Sequence, residues 1–109
     1  MFKTKKDVDR HVRTALNNLR SENEKNLRGF MIAKLYYKIN EYAAAQHYVS
    51  TYLAVKEDFS PAHKLLGQCY LHLKKPDKAL ASFQRSLQLN PKQHDVLIEV
   101  CQLLLTDDS

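Results

Sequence analysis

The sequence predicts an all-α chain: a solenoid in which an N-terminal helix is followed by two helix-turn-helix repeats and the first helix of a third. Three observations predict it. The chain matches itself at an offset of 34 residues, and fixed periods of that order mark stacked helical repeats. Its apolar residues recur at helical intervals rather than alternating. Only 2 Gly and 3 Pro occur in 109 residues, too few turn-formers for a sandwich or barrel that reverses about every 8 to 12 residues. A content of 44% hydrophobic and 27% charged residues supplies a core and argues against disorder, and the length is that of one domain or part of one.

The elements follow in order. Thr4-Lys5-Lys6-Asp7 resembles a capping box and opens a helix expected over 5–20. At 100° per residue, Val8, Val12, Ala15, Leu16 and Leu19 share one side, with Lys6, Arg10, Arg13 and Arg20 opposite. A polar connector is expected over 21–26, then helices over 26–38 and 41–55 as the first repeat. In the second, Ser60 is read as an N-cap with Pro61 behind it, and helices are expected over 60–73 and 77–89, with Pro76 at a first helical position. Leu66, Gly67, Tyr70 and Leu73 line the first of these, and Ala79, Leu80, Phe83 and Leu87 the second. Asn90-Pro91 closes the pair, because the residue before proline leaves the α region. A last helix over 93–105 carries Leu97, Val100, Cys101 and Leu104. The copies match in kind as well as in place: Ala33 with Gly67, Tyr36 with Tyr70, Ala45 with Ala79, Val49 with Phe83, Leu53 with Leu87. The segments are therefore 1–25 (basic helix and connector), 26–59, 60–93 and a partial third repeat, 94–109, within one helical domain.

This order of residues resembles the tetratricopeptide repeat (TPR). The signature positions are Ala33, Tyr36 and Ala45 in the first copy, and Gly67, Tyr70, Ala79, Phe83 and Pro91 in the second, with Leu66, His63 and Ser86 beside them. Small residues admit close helix approach and the aromatics fill the space between helices. Gly29 and His63 stand where the repeat usually has tryptophan, and Glu57 where it has proline. A narrower resemblance runs through Lys5-Lys6-Asp7-Val8-Asp9-Arg10, Gly29-Phe30, Ala33-Lys34-Leu35-Tyr36-Tyr37, Glu41-Tyr42, Thr51-Tyr52, Ala62-His63, Asp77-Lys78-Ala79, Arg85-Ser86 and Leu89-Asn90-Pro91. These are similar to the N-terminal helical domain of the giant Ran-binding nucleoporins of the cytoplasmic filaments of the nuclear pore. The resemblance implies a protein-interaction and anchoring module serving nucleocytoplasmic transport of protein and mRNA, with other nucleoporins or transport-related proteins as partners and the cytoplasmic side of the pore as location. That family's Ran-binding domains, zinc fingers and SUMO-ligase region have no counterpart in these residues, so an isolated N-terminal module is expected.

No catalytic, metal or cofactor site is expected. GxSxG, HExxH, CxxC and glycine-rich phosphate loops are absent, and His11, His47, His63, His72 and His94 are spaced by nine or more residues, without an i, i+4 pair to hold an ion. His63 is read as a half-buried packing imidazole. Cys69 and Cys101 are read as buried, reduced thiols of a cytosolic or nuclear protein. No apolar run exceeds four residues, far from the roughly 20 of a membrane span. Neither the Met1-Phe2-Lys3 start nor the Thr106-Asp107-Asp108-Ser109 end reads as a targeting signal.

Two candidate binding surfaces remain. The inward positions of the first helices of the pairs are Phe30, Lys34, Tyr37 and Lys38, then Lys64, Gln68, Leu71 and His72, a groove for an extended peptide. The chaperone-tail clamp of this repeat class needs basic residues where this chain has Phe30, Asp95 and Glu99, so acidic side chains would repel that ligand. The second surface is the stripe Lys6, Arg10, Arg13 and Arg20, flanked by Lys3, Lys5, Lys25 and Arg28. Residues 1–38 hold ten Lys/Arg against four Asp/Glu, whereas residues 39–109 hold seven against eight. The stripe is either a solvated face, with Asp9 offsetting Arg13, or a weak, sequence-independent site for single-stranded RNA or another polyanion. A free adaptor gripping a peptide is the alternative function. Val96, Ile98, Leu103 and Leu105 cannot all face one neighbour, so self-association through the last helix is expected.

Overall fold

The structure is a computed structural model that describes residues 4–107. Met1, Phe2, Lys3, Asp108 and Ser109 lie outside the described residues, and with them the expected flanking role of Lys3 and parts of the two terminal readings. Among the described residues, seven helices form: α1 (Lys5–Asn17), α2 (Glu22–Leu27), α3 (Gly29–Lys38), α4 (Tyr42–Val55), α5 (Ser60–His72), α6 (Pro76–Leu89) and α7 (His94–Asp107). No strand occurs among the described residues. The chain divides into two compact units between Glu57 and Asp58.

In the first unit, Thr4 caps α1 by accepting the Asp7 N–H at 3.3 Å. The helix ends at Asn17 rather than running to residue 20, and the expected connector is instead largely α2. The cause is a second cap. Ser21 Oγ accepts the Glu24 N–H at 3.1 Å, and the Glu24 carboxylate accepts the Arg20 N–H at 3.2 Å. These two bonds, a variant of the capping box in which the carboxylate takes the N–H one residue before the cap, hold Leu19 and Arg20 out of α1 and start a new helix. α2 runs into α3 through Arg28, whose backbone stays in the right-handed helical region at φ −81°, ψ −10°. Val8 and Val12 of α1, Ile32, Ala33 and Tyr36 of α3, and Ala45 and Val49 of α4 are buried.

Gly29 shows why α3 and α4 approach so closely. A Cβ there would sit 2.3 Å from the Tyr48 carbonyl oxygen and 2.7 Å from Thr51 Oγ1. A bulky side chain at this position has no room, which is the physical reason for the departure from tryptophan.

Both long pairs turn in the same way. Asn40 and Lys74, one repeat apart, adopt φ 64° and 62°. The Glu41 N–H donates to Tyr36 O at 3.0 Å and the Asn40 N–H to Tyr37 O at 3.1 Å; Lys75 donates to Tyr70 O at 2.8 Å and Lys74 to Leu71 O at 3.1 Å. These are paired Schellman closures, which satisfy the last carbonyls of α3 and α5 and reverse the chain.

In the second unit the core gathers Ala79, Phe83, Val96 and Val100, with Tyr70, Leu71, Leu80, Leu87 and Leu103 packed against them. Gly67 lies on the Phe83 ring, which a Cβ would meet at 2.7 Å. Ser60 is not the cap expected of it. Phe59 occupies that position, and the buried Ser60 hydroxyl lies 3.0 Å from Ser86 Oγ. Gln93 Nε2 donates to Ser60 Oγ and Ser86 Oγ, both at 2.9 Å, and to Asn90 O at 2.9 Å. The amide thus ties the start of α5, the end of α6 and the entry to α7. Pro91 lies exposed in that link.

The cysteines divide. Cys69 is buried, and burial pushes its thiol up to about 11. Cys101 is exposed, against expectation. α7 turns Val96 and Val100 inward, and this rotation leaves Leu97, Ile98, Cys101, Leu104 and Leu105 outward.

Candidate functional site: a groove between α1 and α3

A hollow of about 610 Å³ runs between α1 and α3. Val12, Ala15 and Leu19 form one wall, Met31, Ile32 and Leu35 the other, and His11, Arg28, Lys34 and Lys38 stand around them. Among the described residues, no carboxylate lines it. α1 is tied in place by the Asp9 carboxylate, which accepts the Tyr36 phenol at 2.5 Å and pairs with Lys5 at 3.8 Å. Burial first, and then the hydrogen bond to Asp9, raise the Tyr36 phenol well above its ordinary value. Asp9 therefore turns to Lys5 and Tyr36 rather than offsetting Arg13.

The groove candidates of the first repeat separate. Lys34 and Lys38 line the α1–α3 hollow, whereas Phe30 packs its ring 5.7 Å from Tyr52 and Tyr37 stands edge-on to Tyr42 at 5.3 Å. Lys34 Nζ lies 5.4 Å over the Phe30 ring, a cation–π contact. In the second repeat, Lys64 pairs with Asp95 of α7, and that hydrogen bond holds the Asp95 carboxyl below its usual range. Lys64 and Gln68 border a small recess of about 60 Å³ with Phe83, Asp95, Val96 and Glu99. Leu71 joins the core and His72 is exposed.

The basic stripe is shorter than its sequence spacing. Lys6, Arg10 and Arg13 are exposed on α1, but Arg20 lies beyond the helix end. Arg13 and Lys25 edge a second hollow with Asp9, Tyr36 and Tyr48, and Arg28 belongs to the α1–α3 groove. Among the described residues, no group of three His, Cys, Asp or Glu converges, and no helix is long and apolar enough to cross a membrane. The residues that sequence reasoning missed are Ala15 of α1, Leu19 just beyond its end, and Met31 and Leu35 opposite them. Their signal was the apolar arc of α1, which is wider than α3 covers.

The tetratricopeptide-repeat profile matches residues 60–93. The fold agrees: the first TPR of Spaghetti (RPAP3) bound to the HSP90 peptide SRMEEVD superposes with a TM-score of 0.80 over 94% of this chain and 82% of that one, at 16% identity. The chain carries a tetratricopeptide repeat at residues 60–93 within a TPR fold. Its TPR sequence is 39% identical over all of its length to the E3 SUMO-protein ligase RanBP2 of Drosophila melanogaster and 37% identical over 99% to that of Homo sapiens. The human RANBP2-like and GRIP domain-containing protein 8 is 38% identical over 99%. The chain spans 4%, 3% and 6% of these relatives' lengths. It is similar to their N-terminal TPR domain, and a TPR array is a protein-interaction scaffold.

Proposed function

We propose that this TPR chain is a non-enzymatic interaction and anchoring module of a nucleoporin-like protein at the cytoplasmic side of the nuclear pore, serving transport of protein and mRNA. The observation that carries the reading is identity of 37–39% along essentially the whole chain to RanBP2 proteins, extending far beyond the 60–93 repeat match. Fold by itself would not carry it. The partners in this reading are other nucleoporins or transport-related proteins. Proximity labelling with the full-length protein in cells tests it. Nucleoporin neighbours support the pore module, and a neighbourhood of chaperones without nucleoporins replaces it with a free adaptor.

The peptide-adaptor reading has one observation in its favour, the apolar groove between α1 and α3. A chaperone-tail clamp is disfavoured, since Lys64 is already engaged by Asp95 with Glu99 beside the same recess. Lys6, Arg10 and Arg13 support only a salt-labile contact with RNA or another polyanion. Its affinity would fall steeply between about 50 and 200 mM salt as counterions cease to be released.

A further inference from the structure

We infer that the α1–α3 groove is a docking site for an acidic amphipathic helix of a partner protein, apolar along the face that enters and carboxylate-bearing along its edges. The inference rests on the protein-interaction reading and names the partner chemistry. Three features of the groove point to this occupant. Two helices side by side with an open furrow take a third helix as a bundle does, through anchors at i, i+3 or i+4, and i+7. The furrow, at about 610 Å³, lies within the roughly 300–1,000 Å³ general for clefts that bury a bound ligand. Its apolar walls are incompletely covered: Met31 is 59% exposed and Ala15 is exposed.

The charge of the occupant follows from the rim. Arg28, Lys34 and Lys38 all border the groove, none is in an ion pair among the described residues, and no carboxylate lines it. Glu24 lines another hollow with Leu19, Leu27 and Arg28, and its carboxylate already accepts the Arg20 N–H. A basic or neutral helix would leave the three cations unmatched, whereas an acidic one complements them and is steered toward them. Single-stranded RNA would also satisfy the charge, but it binds through stacking on aromatic side chains, and among the described residues the groove lining contains no Phe, Tyr or Trp.

The test uses the full 109-residue chain and two fluorescein-labelled peptides of about 18 residues, long enough to hold helix. Both carry leucines at i, i+3 and i+7; one is flanked by glutamates, the other by lysines. Fluorescence anisotropy should show the glutamate peptide binding at least about tenfold more tightly, a difference of the size close charge pairs make. Met31→Glu, at an exposed position, should weaken it by about tenfold or more, and Lys34→Glu with Lys38→Glu should invert the preference between the peptides. Unchanged helicity by circular dichroism separates these effects from unfolding. Failure of the glutamate peptide to bind, equal binding of both, indifference to Met31→Glu, or displacement by polyuridine overturns the inference. A bound peptide with no nucleoporin neighbours in cells removes the pore reading alone; nucleoporin neighbours with no peptide binding remove the groove alone.

Discussion

The two glycines are both places where a helix presses on its neighbour, but what they press on differs. At Gly67 a methyl would meet the edge of the buried Phe83 ring, and at Gly29 the Tyr48 carbonyl of α4 itself. A ring can tilt by a few tenths of an ångström, while a helix backbone moves only with its helix. Gly67→Ala should cost about 1–3 kcal/mol by overpacking, and Gly29→Ala more than that, read as the order of midpoints in urea unfolding. Equal midpoints would sink the argument. Lys74 predicts a gain. It holds φ 62°, where a side chain costs about 1–2 kcal/mol, and its N–H bond to Leu71 O is kept by any residue but proline. Lys74→Gly should therefore stabilise by about 1 kcal/mol once the added freedom of the unfolded chain, about 0.4–1 kcal/mol, is subtracted, whereas Lys74→Val should destabilise. The small signature residues Ala33, Ala45 and Ala79, all buried, were legible because size at a fixed period is a property of the sequence. Gly29 was legible only as a departure from the usual tryptophan, because the carbonyl it accommodates belongs to another helix. Ser60 was misread for the same reason: its partners Ser86 and Gln93 lie 26 and 33 residues away.

Helices α3 to α7 were legible because periodicity, Pro76 and Asn90-Pro91 mark them locally. α2 was not, although Ser21-x-x-Glu24 is the cap that starts it; six polar residues without an apolar stripe read as a connector until the cap is weighed. α1 matters for the groove, and its attachment rests in part on the Tyr36 phenol and Asp9 carboxylate. Tyr36→Phe removes that hydrogen bond but leaves Asp9 half exposed beside Lys5, so the cost should be about 1–2 kcal/mol, within the lower range for a bond to a charged group. The variant should also change the response to alkali. The folded phenol titrates above its unfolded value, so its contribution is complete below about pH 10 and is lost as pH rises beyond that. Cys69, pushed up to about 11 by burial, acts in the same direction from a lower starting point. Stability measured from pH 8 to about 11.5 should therefore fall in both proteins, with a shallower fall above about pH 10 in Tyr36→Phe. Parallel curves would mean that the phenol carries no such linkage.

For the chain as a whole, the unresolved demand is apolar surface at α7. Val96 and Val100 are buried, but Ile98 is 58% and Leu105 75% exposed, with Leu97 and Leu104 beside them. That excess could be anticipated from the sequence, since one helix cannot turn four apolar directions toward one neighbour. Which direction stays open could not, and Cys101 was assigned to the wrong side. Ile98, Cys101 and Leu105 follow a 3-4 spacing that forms a narrow seam, and a helix bearing such a seam can pair with its own copy across a twofold axis, where each side chain meets its equivalent surface. A net charge of +5 opposes this, but repulsion between exposed charges more than about 10 Å apart is screened at 0.1 M salt. The 109-residue chain should therefore be monomeric when dilute and dimeric as concentration rises. Light scattering reads the mass, and Ile98→Glu with Leu105→Glu should hold it at the monomer value with helicity unchanged. Under mild oxidation, a disulfide-linked dimer through Cys101 should appear in the wild type, and be lost in Cys101→Ser and reduced in the double glutamate variant. A chain that remains monomeric at millimolar concentration, or glutamate variants that associate as readily as the wild type, would show that the α7 seam does not pair.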